Sequence, residues 1–136
     1  MGRMCLFSAV RGVVLDHGQP VPGARVERSW KWRWKGTAGG DSAISDVTGS
    51  FNFPPVWGTS LPGLLLPHEP FVEQTILVRA GGHTCTGWML DKRNYDENGE
   101  IEGRPIVLTC HLETEAARKI LRGHTDGLWR DGDASA

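Results

Sequence analysis

Glycine and proline recur so often along this chain that no regular element can run far. Eighteen Gly and eight Pro divide the 136 residues into segments rich in Val, Ile, Thr and Trp, each about five to nine residues long, the length and composition of strands. The body is therefore expected to be all-β, with antiparallel strands joined by turns. At 39% hydrophobic residues, a chain of this length supplies one core and not two. Its expected division is an N-terminal arm over residues 1–7, a β-domain ending in a short helix over 8–123, and a flexible tail over 124–136.

The strands follow from the punctuation. Ser8 to Leu15 is read as a first strand, "DHGQ" as a turn, and Ala24 to Trp34 as a second strand pairing with the first in a hairpin. "AISDVTGSFNF" gives a second hairpin-like unit, a short strand to Asp46 and another carrying Phe51 and Phe53 on one face. The Gly58 to Phe71 stretch, with three prolines and two glycines around Leu64, Leu65 and Leu66, is expected to be a structured but irregular loop. "QTILVRA", "HTCTGWML" and "RPIVLTCHL" add three strands, Gly81 and Gly82 turning the first into the second, for about seven in all. Thr114 is a candidate N-cap for the terminal helix, and Trp129 a candidate anchor for the tail.

Two motifs carry a family resemblance. "GVVLDHGQPVPGARV" from Gly12, followed by "SDVTGSFNF" from Ser45, resembles the carboxypeptidase-regulatory-like, or transthyretin-like, β-sandwich family. Gly18 and Gly49 permit turns, Pro20 ends ladder pairing, and Val13, Val21, Ala24 and Val26 feed a core. The resemblance implies a transthyretin-like antiparallel sandwich and no particular chemistry. The wider pattern, with W-x-W, the "LPHEP" loop and a Cys-containing last strand, looks like an uncharacterised bacterial family of single-domain transthyretin-like proteins. Its members often lie beside antibacterial secretion genes, including type VI effectors. That implies an accessory role in such a system, as an immunity protein that neutralises a toxin or as an adaptor that helps load it.

Sequence chemistry points away from the enzymes of this sandwich. The family's hydroxyisourate hydrolases end in Tyr-Arg-Gly-Ser, where this chain ends "RDGDASA", and its intradiol dioxygenases hold iron with two Tyr and two His, where only Tyr95 is present. His83 and Cys85 share a strand face and, with Cys110 or His111, could form a metal or Cys-His site; the alternative is a buried thiol beside a surface histidine. Cys5, Cys85 and Cys110 lack CxxC spacing, which suits reduced thiols, with a Cys85–Cys110 bridge as the alternative. "NYDENGEIE" places Asn94, Asp96, Asn98 and Gly99 as in the first half of a calcium loop, but Pro105 stands where the bidentate Glu belongs. His17, His68 and His124 fall in separate turns. The expectation is a non-enzymatic protein with no cofactor and no metal.

Binding must then fall to a surface. Fifteen Lys and Arg oppose sixteen Asp and Glu, so no global positive field favours nucleic acid. No run nears the ~20 apolar residues of a membrane span, and "MGRMCLFSAV" lacks signal-peptide features, so the expected location is the cytoplasm. In "SWKWRWKG" the pleat separates Trp30, Trp32 and Trp34 from Lys31, Arg33 and Lys35, giving one apolar and one basic face. The indoles belong either to the core or to an interface. The candidate partner-binding residues are Trp30, Trp32, Trp34 and Trp57, the loop residues Leu64, Leu65, Leu66, His68, Glu69 and Phe71, and an acidic set, Asp96, Glu97 and Glu100, suited to a basic toxin surface.

Overall fold

The computed structural model describes residues 3–112, so the expected helix from Thr114 and the Trp129 anchor lie outside the described residues. Within them the chain is all-β and sandwich-like. Its strands are β1 (Arg3–Phe7), β2 (Val10–Asp16), β3 (Gln19–Pro20), β4 (Arg25–Trp32), β5 (Thr37–Ile44), β6 (Ser50–Phe53), β7 (Val56–Thr59), β8 (Val72–Ala80), β9 (His83–Lys92) and β10 (Ile106–His111), with a helical turn, α1 (Leu61–Leu65), between β7 and β8 and a 3-10 turn, Gly99–Ile101, between β9 and β10. One sheet has the order β5-β4-β8-β9, a second groups β10, β3 and β6 around β2, and β1 pairs with β7 alone. All pairs are antiparallel except β10 with β2.

The glycine-proline signal located the strands better than it located their partners. The expected hairpin between β2 and β4 does not form, because the chain changes sheets between them. Pro20 and Pro22 cannot donate to a continuing ladder, and the crossing is pinned by Ser45, whose hydroxyl accepts from Ala24 N at 2.8 Å and donates to Val21 O at 2.6 Å. β5 and β6 likewise belong to different sheets. The turn between them is closed by Asp46, whose Oδ1 accepts from Thr48 N, Thr48 Oγ1 and Ser50 N. The β8–β9 hairpin forms as expected, with Gly81 and Gly82 both at positive φ, 57° and 81°, the backbone that a two-residue turn between twisted strands requires.

Residues 3–7 are not an arm. Met4, Cys5, Leu6 and Phe7 are all buried, since an apolar run beside an open strand gains both ladder hydrogen bonds and burial by joining it. This pairing with β7 is one reason the described residues hold ten strands rather than about seven. Phe7, Val10, Val14, Val26, Phe51, Phe53, Ile76, Val78 and Trp88 fill the space between the large sheets. A smaller cluster of Met4, Leu6, Trp32 and Val72 lies under β1 and β7.

Candidate functional site

β4 ends at Trp32, and residues 33–36 form a turn closed by Gly36 N donating to Trp32 O at 2.9 Å. The strict alternation expected through Trp34 therefore stops two residues early. Trp32 is 2% exposed and Trp30 is half-buried, edge-on to Phe7 at 6.5 Å. Of these two indoles, proposed from sequence as partner contacts, Trp32 belongs to the chain's own interior and Trp30 is packed partly into it, because Met4, Leu6 and Phe7 of β1 cover the inward face of β4 at this end. Trp34 and Trp57 remain half-buried at the surface, the latter beneath the Arg3 guanidinium at 4.6 Å.

The Leu61–Phe71 segment is fastened to this end of the sandwich. Ser60 caps α1, its hydroxyl accepting from Gly63 N and from Trp34 Nε1, both at 3.1 Å. Gly63 is required there, since a Cβ would come within 2.7 Å of Trp34 Nε1. The His68 ring stacks on Trp34 at 3.9 Å and 17°. His68 Nδ1 lies 3.1 Å from the Leu66 carbonyl, and Nε2 2.8 Å from the Tyr95 hydroxyl. A carbonyl only accepts, so in the neutral ring Nδ1 carries the proton and Nε2 accepts from Tyr95. The Tyr95 hydroxyl in turn accepts from Trp32 Nε1 at 3.0 Å. A continuous chain of hydrogen bonds thus runs from the core indole to the loop. Phe71 lies between the guanidiniums of Arg33 and Arg93, at 5.1 and 4.7 Å, and Glu69 pairs with Arg93 at 3.5 Å.

Held this way, the segment leaves apolar side chains in water. Leu61 is 69% exposed, Leu65 72% and Leu66 54%. Beside them lies an open groove of about 500 Å³ lined by Trp34, Lys35, Thr59, Ser60, Leu61 and Pro62. Lys35 Nζ is held at its rim by Thr59 O at 3.0 Å. Of this lining the sequence marks only Trp34 as a binding candidate; Lys35 enters there as part of the basic face, and Thr59, Ser60, Leu61 and Pro62 do not enter as candidates, since only the turn at 33–36 and the β7–α1 junction bring them together.

The acidic set divides. Asp96 and Glu97 are exposed, but Glu100 points inward: its carboxylate accepts from Ser8 N at 2.9 Å, Ser8 Oγ at 2.6 Å and Gln74 Nε2 at 2.9 Å. It is therefore engaged by the fold and not offered to a partner. Gln74 Oε1 also accepts from Trp88 Nε1 at 2.9 Å. Nearby, Arg28 is buried and forms a two-point pair with Asp41 at 2.9 and 2.6 Å.

The calcium-like loop already contains a cation. Lys92 Nζ donates to Asn94 O at 2.9 Å, Asn94 Oδ1 at 3.1 Å, Asp96 O at 2.7 Å and Cys5 O at 3.1 Å. Burial pushes this ammonium below the ordinary lysine range, opposed chiefly by the Glu100 carboxylate. Burial likewise pushes the Cys5 thiol up, against the Ser8 hydrogen bond. His83 is exposed at the start of β9 whereas Cys85 is buried, so the two do not meet at one accessible point. Among the described residues, no three His, Cys, Asp or Glu side chains cluster as a metal site would require.

No curated protein matches the chain significantly. Among solved structures, catechol 1,2-dioxygenase from Acinetobacter sp. ADP1, inhibited by bound mercury, is similar over 76% of this chain at 18% identity, with a TM-score of 0.39. The chain spans 43% of that protein's length. A family model described as a domain of unknown function, DUF6795, matches residues 10–115. That match takes in β2 through β10, the α1 segment and the Lys92 loop, and this chain belongs to the DUF6795 family.

Proposed function

We propose that the protein is a non-enzymatic protein-binding module, an accessory component of a bacterial antibacterial secretion system that acts as an adaptor for its partner. The observation carrying this reading is the exposure of Leu61, Leu65 and Leu66 on a segment that is otherwise tightly fastened. A loose loop would fold its leucines inward; one held by Ser60, His68 and Tyr95 presents them at little ordering cost. Contiguous exposed apolar groups of this kind mark interaction surfaces. The adaptor role fits an apolar surface, whereas the immunity role rested on an acidic patch from which Glu100 is withdrawn. The secretion context is supported by the resemblance of the W-x-W, "LPHEP" and Cys-strand pattern to proteins found beside effector genes.

Photo-crosslinking tests the reading. A crosslinkable residue at Leu65 should capture a specific chain in the native host, one at Arg104 should not, and the captured chain should be an effector or a component of the secretion machine. Equal capture from both positions would remove the docking reading, and capture of an unrelated housekeeping protein would remove the secretion role.

A further inference from the structure

Resting on the docking reading above, the geometry points to the chemistry of the partner: we infer that the Trp34–Lys35 groove takes a linear peptide segment in which an apolar side chain stands beside a carboxylate. The groove wall is apolar through Trp34, Leu61 and Pro62, and its lining contains one cation, Lys35, and no acid. One face of the Trp34 indole is taken by His68, and its N–H is spent on Ser60. What the indole offers a ligand is therefore surface and not a hydrogen bond.

The charges decide what accompanies the apolar anchor. Arg25, Arg28, Arg33, Arg79 and Arg93 each have a carboxylate partner within the chain. Lys35 has none among the described residues; its ammonium donates to the Thr59 carbonyl and lies over the Trp32 ring at 5.8 Å, which leaves donor hydrogens for another acceptor. Arg3 is the register partner of Thr59 on β1, lies over Trp57, and also lacks a carboxylate among the described residues. Arg11, Lys31 and Arg104 have no such partner among the described residues either, but Lys35 is the cation that lines the apolar groove, with Arg3 across the ladder from its Thr59, and an acidic residue next to the anchor is the complement. A membrane surface fits less well, because adsorption to anionic lipid requires a cluster of basic residues and this chain's net charge is −1.

A phage-displayed library of random linear peptides, panned on the full chain and counter-selected on the Leu61→Ser variant, tests this. Both Leu61 and Lys35 are exposed, so their variants should keep the wild-type melting temperature. Retained peptides should carry Leu, Ile, Phe or Trp adjacent to Asp or Glu. A synthetic copy of one should bind Leu61→Ser about tenfold more weakly and Lys35→Glu roughly two- to fivefold more weakly. Retained peptides that are basic, or that bind Lys35→Glu more tightly, would overturn the acidic chemistry and leave the docking reading standing. Failure to retain any Leu61-dependent peptide, with crosslinking from Leu65 still positive in the host, would overturn the linear-peptide inference alone. Loss of both would take the docking reading with it. Binding to phosphatidylglycerol vesicles, or self-association, that Leu61→Ser abolishes would equally overturn it.

Discussion

Lys92→Met is the sharpest test of how the loop after β9 is held. The lysine is 1% exposed and its ammonium sits among four oxygens at 2.7 to 3.1 Å. Methionine keeps the stem's length and apolar character and removes the charge. Not every oxygen is orphaned by the change: Asn94 Oδ1 still accepts from Asp96 N, and Asp96 O from Gly99 N. An ammonium has three N–H groups to share among the four oxygens, and three hydrogen bonds to a charged group, at about 1.5–3 kcal/mol each, give a gross loss of about 5–9 kcal/mol. Against this stands the desolvation of a buried ammonium, several kcal/mol, which the variant no longer incurs. The expected net destabilisation is about 2–4 kcal/mol, since removing one side of a buried polar cluster usually costs more than it returns.

Urea unfolding measures it, and the midpoint should fall with the slope unchanged. A second variant separates cation from stem. Lys92→Ala opens a channel ending at the same oxygens, so n-propylammonium, which replaces the missing atoms, should raise the stability of Lys92→Ala and leave wild type and Lys92→Met unmoved. Alkaline titration adds a signed check. The folded value of Lys92 is lowered, so between it and the ordinary value the unfolded chain binds more protons. The penalty for charging Lys92 is complete below the folded value and is relieved as pH rises towards about 10.4. Wild type should gain stability relative to Lys92→Met across that window. A Lys92→Met protein within about 0.5 kcal/mol of wild type, the range of surface substitutions, would refute the claim that the ammonium holds the loop.

Three other substitutions test neighbouring parts of the fold. Glu100→Gln turns one acceptor into a donor facing Ser8 and Gln74, and should cost about 2–3 kcal/mol in urea unfolding. Tyr95→Phe removes the hydroxyl that joins Trp32 to His68; a loss of about 1–2 kcal/mol is expected, with faster proteolysis between residues 61 and 71 than elsewhere. Asp46 is held below the usual carboxylate range, first by the Thr48 side chain and then by backbone N–H groups of Ser50 and Thr48. Its contribution is present above the unfolded value and is lost as pH falls through the lowered folded one. The melting temperature of Asp46→Ala should therefore lie below wild type at neutral pH and converge with it in acid.

The parts of the fold legible in sequence were those fixed by local chemistry. Gly81-Gly82 specified a hairpin because few other residues tolerate positive φ at both turn positions, and the β8 and β9 strands on either side followed. Pairing between distant segments was illegible for a physical reason: a strand's composition records that it is half-buried, not which strand lies beside it. Hence β2 and β4, separated only by a turn and the two-residue β3, were assigned to one sheet, and the β1–β7 pair was missed. The interior polar residues did leave a trace. On β4 the even positions Val26, Arg28, Trp30 and Trp32 share a face, as do Val72, Gln74, Ile76 and Val78 on β8. A polar side chain in phase with an apolar stripe announces a buried partner; Arg28 and Gln74 carry that signal, neither was singled out from it, and it names neither Asp41 nor Glu100.

The same phase argument explains why the tryptophans were only partly interpretable. Trp30 and Trp32 obey the pleat and are turned inward by it, Trp32 fully buried and Trp30 half-buried, whereas Trp34 lies past the strand's end, where alternation no longer assigns a face. Its surroundings come from Ser60, Gly63 and His68, residues 26 to 34 positions downstream, brought back because Tyr95 fastens the intervening loop. The indole a sequence reader would group with its neighbours is thus the one the fold treats differently. The core takes Trp32 and part of Trp30, which share the strand's period, and Trp34 is left beside Lys35 and Leu61 at an open surface groove. Interior and solvent-facing surface diverge within five residues of one motif, at the point where the β4 ladder ends.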